Sequence, residues 1–190
     1  NSRTWQTIEY IWNRPVQRLF VRSMVQFMDF VQGLENRYGI KYNSYATKGV
    51  QEFSAKVSET SSFSKNTEVS ADYIYVNPLL FMHIPETPFK QSERRLPVEF
   101  DYSYDYHIRV SLMIPEGYSV DELPQSVSLV TEDKHMSLKY NVVHQGQQIG
   151  IKYEFKLDEV FYSVDKYQEL KKFWEIMAEV NNSMLVLKKN

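Results

Sequence analysis

Residues 99–114, EFDYSYDYHIRVSLMI, alternate without a break. The even positions are Phe100, Tyr102, Tyr104, Tyr106, Ile108, Val110, Leu112 and Ile114; the odd ones are Glu99, Asp101, Ser103, Asp105, His107, Arg109, Ser111 and Met113. Successive strand side chains point to opposite faces, whereas a helix would scatter these apolar residues all round its axis. The pattern therefore predicts a long β-strand over 99–114, with one face on a core and one in water. A chain holding such a ribbon must supply something to cover its apolar side.

The remaining segments supply candidates. Arg3 to Trp12 reads as a strand that ends at Asn13-Arg14-Pro15. A helix is predicted over about 15–37, opened by Pro15, whose missing N–H costs nothing in the first turn. Val16, Leu19, Phe20, Met24, Phe27, Phe30, Val31 and Leu34 fall on one broad face; Arg18, Arg22, Asp29 and Asn36 fall on the other. Gly39 can end it in the left-handed conformation. From Ile40 to Val76 the chain is strand-like and polar. Phe53, Ala55 and Val57 alternate with Ser54, Lys56 and Ser58, and Ser58 to Ser70 reads as an exposed hairpin or loop. Asn77-Pro78 stops the last strand of this region. Residues 79–97 hold Pro85, Pro88 and Pro97 and form an irregular crossover, pinned by Leu80, Phe81, Met82, Ile84 and Phe89.

After the central ribbon, Pro115-Glu116-Gly117-Tyr118 is a turn and Val127 to Val130 a short strand. Met136–His144 and Gln148–Leu157 form a hairpin in which Gly146 supplies a positive φ. Its second arm again alternates, with Ile149, Ile151, Tyr153, Phe155 and Leu157 on one face. A second helix is predicted over 163–181, with Ser163 as its N-cap. Tyr167, Leu170, Phe173, Trp174, Met177 and Val180 form its apolar arc. Met184 to Leu187 then closes as a strand. The expected fold class is α+β: antiparallel β-sandwich-like sheets with two packed amphipathic helices, about 15–37 and 163–181. Residues 1–190 are read as a single β-rich domain. The alternative is a strand-helix-strand lobe over 1–80 and a C-terminal β-sandwich lobe with its terminal helix over 96–190.

Composition narrows the function classes. The chain has 190 residues, no Cys and a net charge of -2. The absence of Cys excludes thiol catalysis, disulfides and thiolate metal sites. The slightly negative charge offers no global electrostatic case for nucleic acid. No apolar run approaches the roughly 18 residues of a membrane span. The sequence opens at Asn1 rather than Met, which reads as a piece excised or processed from a longer polypeptide. No GxGxxG, P-loop, GxSxG or HExxH motif occurs.

Several motifs recur in a particular order: VNPLLF (76–81), Pro88-Phe89, RRLPVEF (94–100), the tyrosine-rich strand, PEGYSVDELPQSV (115–127), the hairpin, FYSVDKYQELKKFW (161–174) and LVLKK (185–189). From Ala71 to Asn190 this order resembles the C-terminal domain of unknown function that follows a transglutaminase-like domain in large exported bacterial proteins. The resemblance implies a β-rich accessory module in the periplasm, at the cell envelope or secreted, with the upstream domains of the same polypeptide as partners. In such proteins the catalytic Cys, His and Asp lie upstream, so the resemblance assigns no catalytic, cofactor-binding or metal-binding residue here. It implies that this piece is not itself an enzyme.

Five groups of residues are weighed as sites against simpler roles. His83, His107, His135 and His144 lack helical metal-ligand spacing and read as surface or structural residues. Glu99, Asp101 and Asp105 share the wet face of the predicted ribbon and are candidates for Ca²⁺ or for acid–base work on a glycoside. Strand residues two apart are about 7 Å apart, which favours a solvated sheet face. Trp5, Tyr10, Trp12, Tyr102, Tyr104 and Tyr106 are candidates for a sugar-stacking platform, or else core. Arg14, Arg18 and Arg22, at the positive end of the first helix, are an anion or partner contact or a solvated face. Asn181-Asn182-Ser183 matches a glycosylation acceptor but reads as the end of a helix. The expectation is a non-catalytic interaction module, with a carbohydrate-binding β-sandwich as the alternative. An envelope protein or a glycan is the outside partner; no cofactor, nucleic acid or membrane span is expected.

Overall fold

The computed structural model describes residues 31–37, 39–48, 58–65, 69–70, 72–80 and 86–190. The predicted strand Arg3–Trp12, residues 15–30 of the first helix, and Phe53, Ala55, Val57, Phe81, Met82, His83 and Ile84 lie outside them. Residues 31–37 are helical, and Gly39 follows with φ +62°. Next come β1 (Ile40–Lys48) and β2 (Ser58–Lys65), an antiparallel pair with an irregularity between Tyr42 and Ser44. The Tyr42 amide donates to Glu35 Oε1 at 2.7 Å, tying the helical segment to this ribbon.

Two four-stranded antiparallel sheets follow. The first is built from β6 (Tyr104–Met113), β8 (Val127–Val130), β9 (Met136–Gln145) and β10 (Gln148–Leu157), in the order β6-β10-β9-β8. The second is built from β3 (Val69–Ser70), β4 (Tyr73–Val76), β7 (Tyr118–Glu122) and β12 (Leu185–Lys189), in the order β3-β4-β12-β7. A short pair joins β5 (Val98–Glu99) to β11 (Phe161–Tyr162). Helix α1 (Tyr167–Asn182) enters through a 3-10 turn at Val164–Lys166. The α+β class, with antiparallel sheets and packed helices, is the fold observed. Among the described residues no helix is long and apolar enough to cross a membrane.

The first sheet carries out the predicted alternation. Ile108, Val110, Leu112, Ile149, Ile151, Tyr153, Phe155, Leu157, Met136, Leu138 and Tyr140 are all buried, and their strand neighbours face water. The arc of α1 lies over this face. Phe155 sits 5.3 Å from Trp174 and 6.2 Å from Phe173, ring centre to ring centre. The six arc residues named from the sequence are buried, and Gln168, Lys172, Glu175 and Glu179 are exposed. The described part of the crossover is pinned to the core, with Leu80 packed against it and Phe89 within it. Phe89 stacks on Trp174 at 6.2 Å, Leu79 is buried, and the Tyr167 hydroxyl donates to the Gln91 carbonyl at 2.8 Å. Ile74, Leu185 and Leu187 of the second sheet join the same core cluster.

Four boundaries differ from expectation. The central ribbon is two elements: residues 98–99 pair with β11, and β6 starts only at Tyr104. Phe100 breaks it, because its ring is held edge-on by Tyr162 and Trp174, both at 5.8 Å, while its amide donates to the Val160 carbonyl. Tyr102 is left 38% exposed. Ser163 makes no side-chain cap bond, because the chain enters α1 through the 3-10 turn. The closing strand begins at Leu185, not at the exposed Met184. Finally β7 pairs with β12, although its sequence was not read as a strand. The hairpin turn holds, with Gly146 at φ +57°. Gly117, at φ +78°, sits third in a turn closed by Tyr118 N–H to Pro115 O, the place where a type II turn needs a positive φ.

Truncating Phe155 to Ala removes the ring on which Trp174 and Phe173 rest. The expected loss is about 3–5 kcal/mol in a urea-unfolding experiment, against less than about 0.5 kcal/mol for Glu175→Ala on the exposed side of α1.

Candidate functional site

Among the described residues, polar groups gather most densely in three separate places. The first is the outer face of the β6–β10 pair. Register sets His107 opposite Glu154 and Arg109 opposite Lys152. His107 Nε2 lies 2.9 Å from Asp105 Oδ1, and its Nδ1 lies 3.4 Å from Glu154 Oε1. Lys152 Nζ reaches the same Glu154 oxygen at 2.7 Å. The Lys152 hydrogen bond, with help from His107, holds the Glu154 carboxyl below the usual range. These groups are solvated, so each pair contributes at most about 1 kcal/mol.

The second place was not read from the sequence, and it is the most heavily hydrogen-bonded of the three. It is the loop between β8 and β9. Buried Thr131 donates from Oγ1 to Asp133 Oδ1 at 2.7 Å and accepts from the Met136 amide at 3.1 Å. Asp133 also accepts the His135 amide at 3.1 Å. Lys134 takes φ +63° in this tight loop. Lys166 bridges Asp133 and Glu169 at 3.7 and 3.8 Å, and Glu169 accepts the Glu132 amide at 2.8 Å. The loop is thus strapped to the start of α1. Partial burial raises the Asp133 carboxyl, but the Thr131 hydroxyl, the His135 amide and Lys166 outweigh it and hold it low. Tyr162, 4% exposed, lies among Asp133, Glu159, Glu169 and Asp158; burial first, and then those carboxylates, push its hydroxyl up to about 12. A Thr-x-Asp turn was the available signal in the sequence: short side chains that bond their own backbone mark such loops.

The third place lies under the end of α1. Asn181 is 2% exposed, and its carbonyl accepts Asn77 Nδ2 at 2.9 Å. Asn77 Oδ1 in turn accepts the Leu79 amide at 2.8 Å. The Tyr153 hydroxyl faces the Asn181 side chain and the Tyr140 hydroxyl faces Ser183, though neither pair reaches ordinary hydrogen-bond geometry. Burial raises both tyrosines.

The sequence-derived candidates do not converge. Glu99 is on β5, Asp101 lies in the bend and Asp105 is on β6, all exposed, and only Asp105 has an ion-pair partner of the kind described above. His107, His135 and His144 have separate partners: His135 lies 3.8 Å from Glu159, and His144 Nε2 lies 2.8 Å from the Gly146 carbonyl. Among the described residues no three His, Asp or Glu side chains could hold a metal ion. Tyr102, Tyr104 and Tyr106 form a ladder, with ring centres 4.8 and 5.6 Å apart. It leads inward, since Tyr104 and Tyr106 also meet Phe155 at 6.2 and 6.1 Å. Trp5, Tyr10, Trp12, Arg14, Arg18 and Arg22 lie outside the described residues. Asn181 is helical and buried, as the helix-end reading requires.

The model of a domain of unknown function with a solved structure, DUF3858, matches residues 72–187, more than half of the chain. This chain belongs to the DUF3858 family. The DUF3858 region holds both four-stranded sheets, save the two residues of β3 and the end of β12, together with α1 and all three polar places. No curated protein matches the sequence. Among solved structures, a putative protease from Parabacteroides distasonis is similar in fold at 11% identity, with a TM-score of 0.51. The likeness covers 63% of this chain and 24% of that one, so the shared region spans about a quarter of that protein.

Two pH effects follow. Asp133 titrates below its unfolded value, so its contribution is present above about pH 4 and is lost as pH falls through the lower folded value. Asp133→Asn should cost about 1–2 kcal/mol at pH 7, and the gap to the unsubstituted chain should close below about pH 4 in denaturant titrations. Tyr162 has the opposite profile. Its raised pKa favours the folded state below about pH 10, and that contribution fades as pH climbs towards about 12. Absorbance titration near 295 nm should show several late-ionising tyrosines, and Tyr162→Phe should remove the amplitude of one of them.

Proposed function

We propose that this chain is a non-catalytic accessory or interaction module of a larger exported protein, downstream of a transglutaminase-like region that it positions or helps to dock. The observation that carries the reading is proportion. The neighbouring fold occupies 24% of a longer chain, as expected of a module serving the domains beside it. The resemblance of residues 71–190 to the domain that follows transglutaminase-like regions supplies the context, and with it a periplasmic, envelope or secreted location.

The arrangement of polar groups supports the same reading. General acid–base catalysis needs two groups within reach of one reacting atom. Here Glu99, Asp101 and Asp105 are spread over two sheets and a bend, and Asp133 and Glu169 are engaged in strapping a loop to a helix. The module's partners are then the upstream domains of the same polypeptide, with an envelope protein as the outside partner.

The purified chain should not turn over peptide, ester or glycoside reporter substrates above the buffer rate, and Glu99→Ala, Asp101→Ala and Asp105→Ala should behave alike. Turnover that disappears with any one of these substitutions, in a variant with unchanged circular dichroism, would refute the accessory reading.

A further inference from the structure

The β6 edge of the first sheet has a polarity that can be worked out residue by residue. Strand β6 pairs with β10 on one side and, among the described residues, with no strand on the other. The Ile114 amide donates to Gln147 O at 2.8 Å, and the β6–β10 register runs unbroken from Tyr104 to Met113. Hydrogen-bonded and non-bonded pairs alternate along an antiparallel ladder. The even residues of β6 therefore direct their N–H and C=O groups to β10. Asp105, His107, Arg109, Ser111 and Met113, all exposed, direct theirs outward.

This edge differs from the others in the two sheets. Strand β8, at the far side, has four residues and follows Pro124; β3 has two; and β7 meets β12 through a register shift. Natural sheets blunt an edge by shortness, proline, a bulge or charged side chains, and β6 has only the last, with charges of both signs at Asp105 and Arg109. Strand β6 has ten residues, with neither proline nor bulge.

We propose that β6 pairs antiparallel with β6 of a second copy of this chain, about a two-fold axis through His107, to form one continuous eight-stranded sheet. Charge selects this register. Only odd residues can pair with odd residues, because only they offer outward groups. Centring on His107 sets Asp105 opposite Arg109 of the other copy, twice. Centring on Ile108 sets Asp105 opposite Ser111 and Arg109 opposite His107, so that no opposite charges meet, and centring on Arg109 sets two guanidinium groups face to face; opposite charges directly across a ladder stabilise it, and like charges oppose it. Centring on residue 106 keeps Asp105 opposite His107 but shortens the overlap. The His107 register gives about six new main-chain hydrogen bonds. On the inner face it pairs Tyr104 with Val110 and Tyr106 with Ile108, which are favourable aromatic–β-branched contacts. The symmetry closes the assembly at two, because the same edge serves both copies and the outer edges left are the short β8 strands. The inference does not depend on the accessory reading: it stands or falls on oligomeric state, whatever the module's activity.

The test is sedimentation of the full chain over a concentration series, together with a charge swap. The chain should be a concentration-dependent dimer. Arg109→Asp, which sets carboxylates opposite one another, should weaken dimerisation by at least about tenfold, and Asp105→Arg with Arg109→Asp should restore it. Since the chain has no Cys, a single His107→Cys should crosslink two copies on mild oxidation, as hydrogen-bonded antiparallel positions lie about 5.5 Å apart, and Ser111→Cys should not. Circular dichroism checks that each variant is folded. A monomer at every concentration, or a dimer indifferent to Arg109→Asp, overturns the proposal. So does hydrogen-exchange protection of the 105, 107 and 109 amides that dilution leaves unchanged, since that would place the covering strand within one chain.

Discussion

The structure depends on one burial: the apolar face of a four-stranded sheet against the aromatic arc of a single helix. Phe155 from β10 meets Phe173 and Trp174 from α1, Tyr153, Leu157 and Met177 belong to the same core, and Phe89 from the crossover and Phe100 from the bend before β6 close the cluster. Each large side chain so covered contributes about 1.5–3 kcal/mol. The interaction also divides the molecule chemically. With alternate residues of β6, β10 and the first part of β9 committed to this core, the hydrophilic groups of those strands collect on the outer face. There they are solvated and weakly coupled, pairing with neighbours on the same or the adjacent strand.

Most strongly held polar groups are used to join segments that the core alone would leave loose. Thr131 and Asp133 shape the β8–β9 loop, and Lys166 and Glu169 bind it to the entry of α1. Asn77 does the same at the other end, holding the exit of β4 against the last turn of the helix. Such bonds are strong because part of each lies out of water, where an unmade hydrogen bond costs about 1–3 kcal/mol. A carboxylate fixed in this way is less available for proton transfer than one waiting in a cleft.

Elements whose reason is local were legible in the sequence. The alternation of 104–113 and 148–157 and the helical arc of 167–180 each report a face, and each face lies on the core as read. Alternation does not report the partner. It continues through Phe100 and Tyr102, although the chain turns there from one sheet to another, because Phe100 keeps its ring in the core across the bend. Strand β7 was missed since Ser119, Asp121 and Glu122 give it little apolar signal; it is held through main-chain bonds to β12. The loop at Thr131 went unread for a related reason. Its turn chemistry is local, but its ties to Lys166 and Glu169 cross more than thirty residues.

The place of β12 affects how the chain can assemble. It lies between β4 and β7, and its residues 185–188 face residues 73–76, over a hundred positions earlier. A ribosome delivers those two inner strands at opposite ends of this region's synthesis. Until Leu185 to Lys189 emerge, β4 and β7 have no common neighbour, and Ile74 and Val120 lack the Leu187 that lies beside both. The first sheet and its hairpin can form while translation continues. The second must wait, and closing so long a loop is slow, so nascent chains should pass through a half-built stage that exposes a greasy seam.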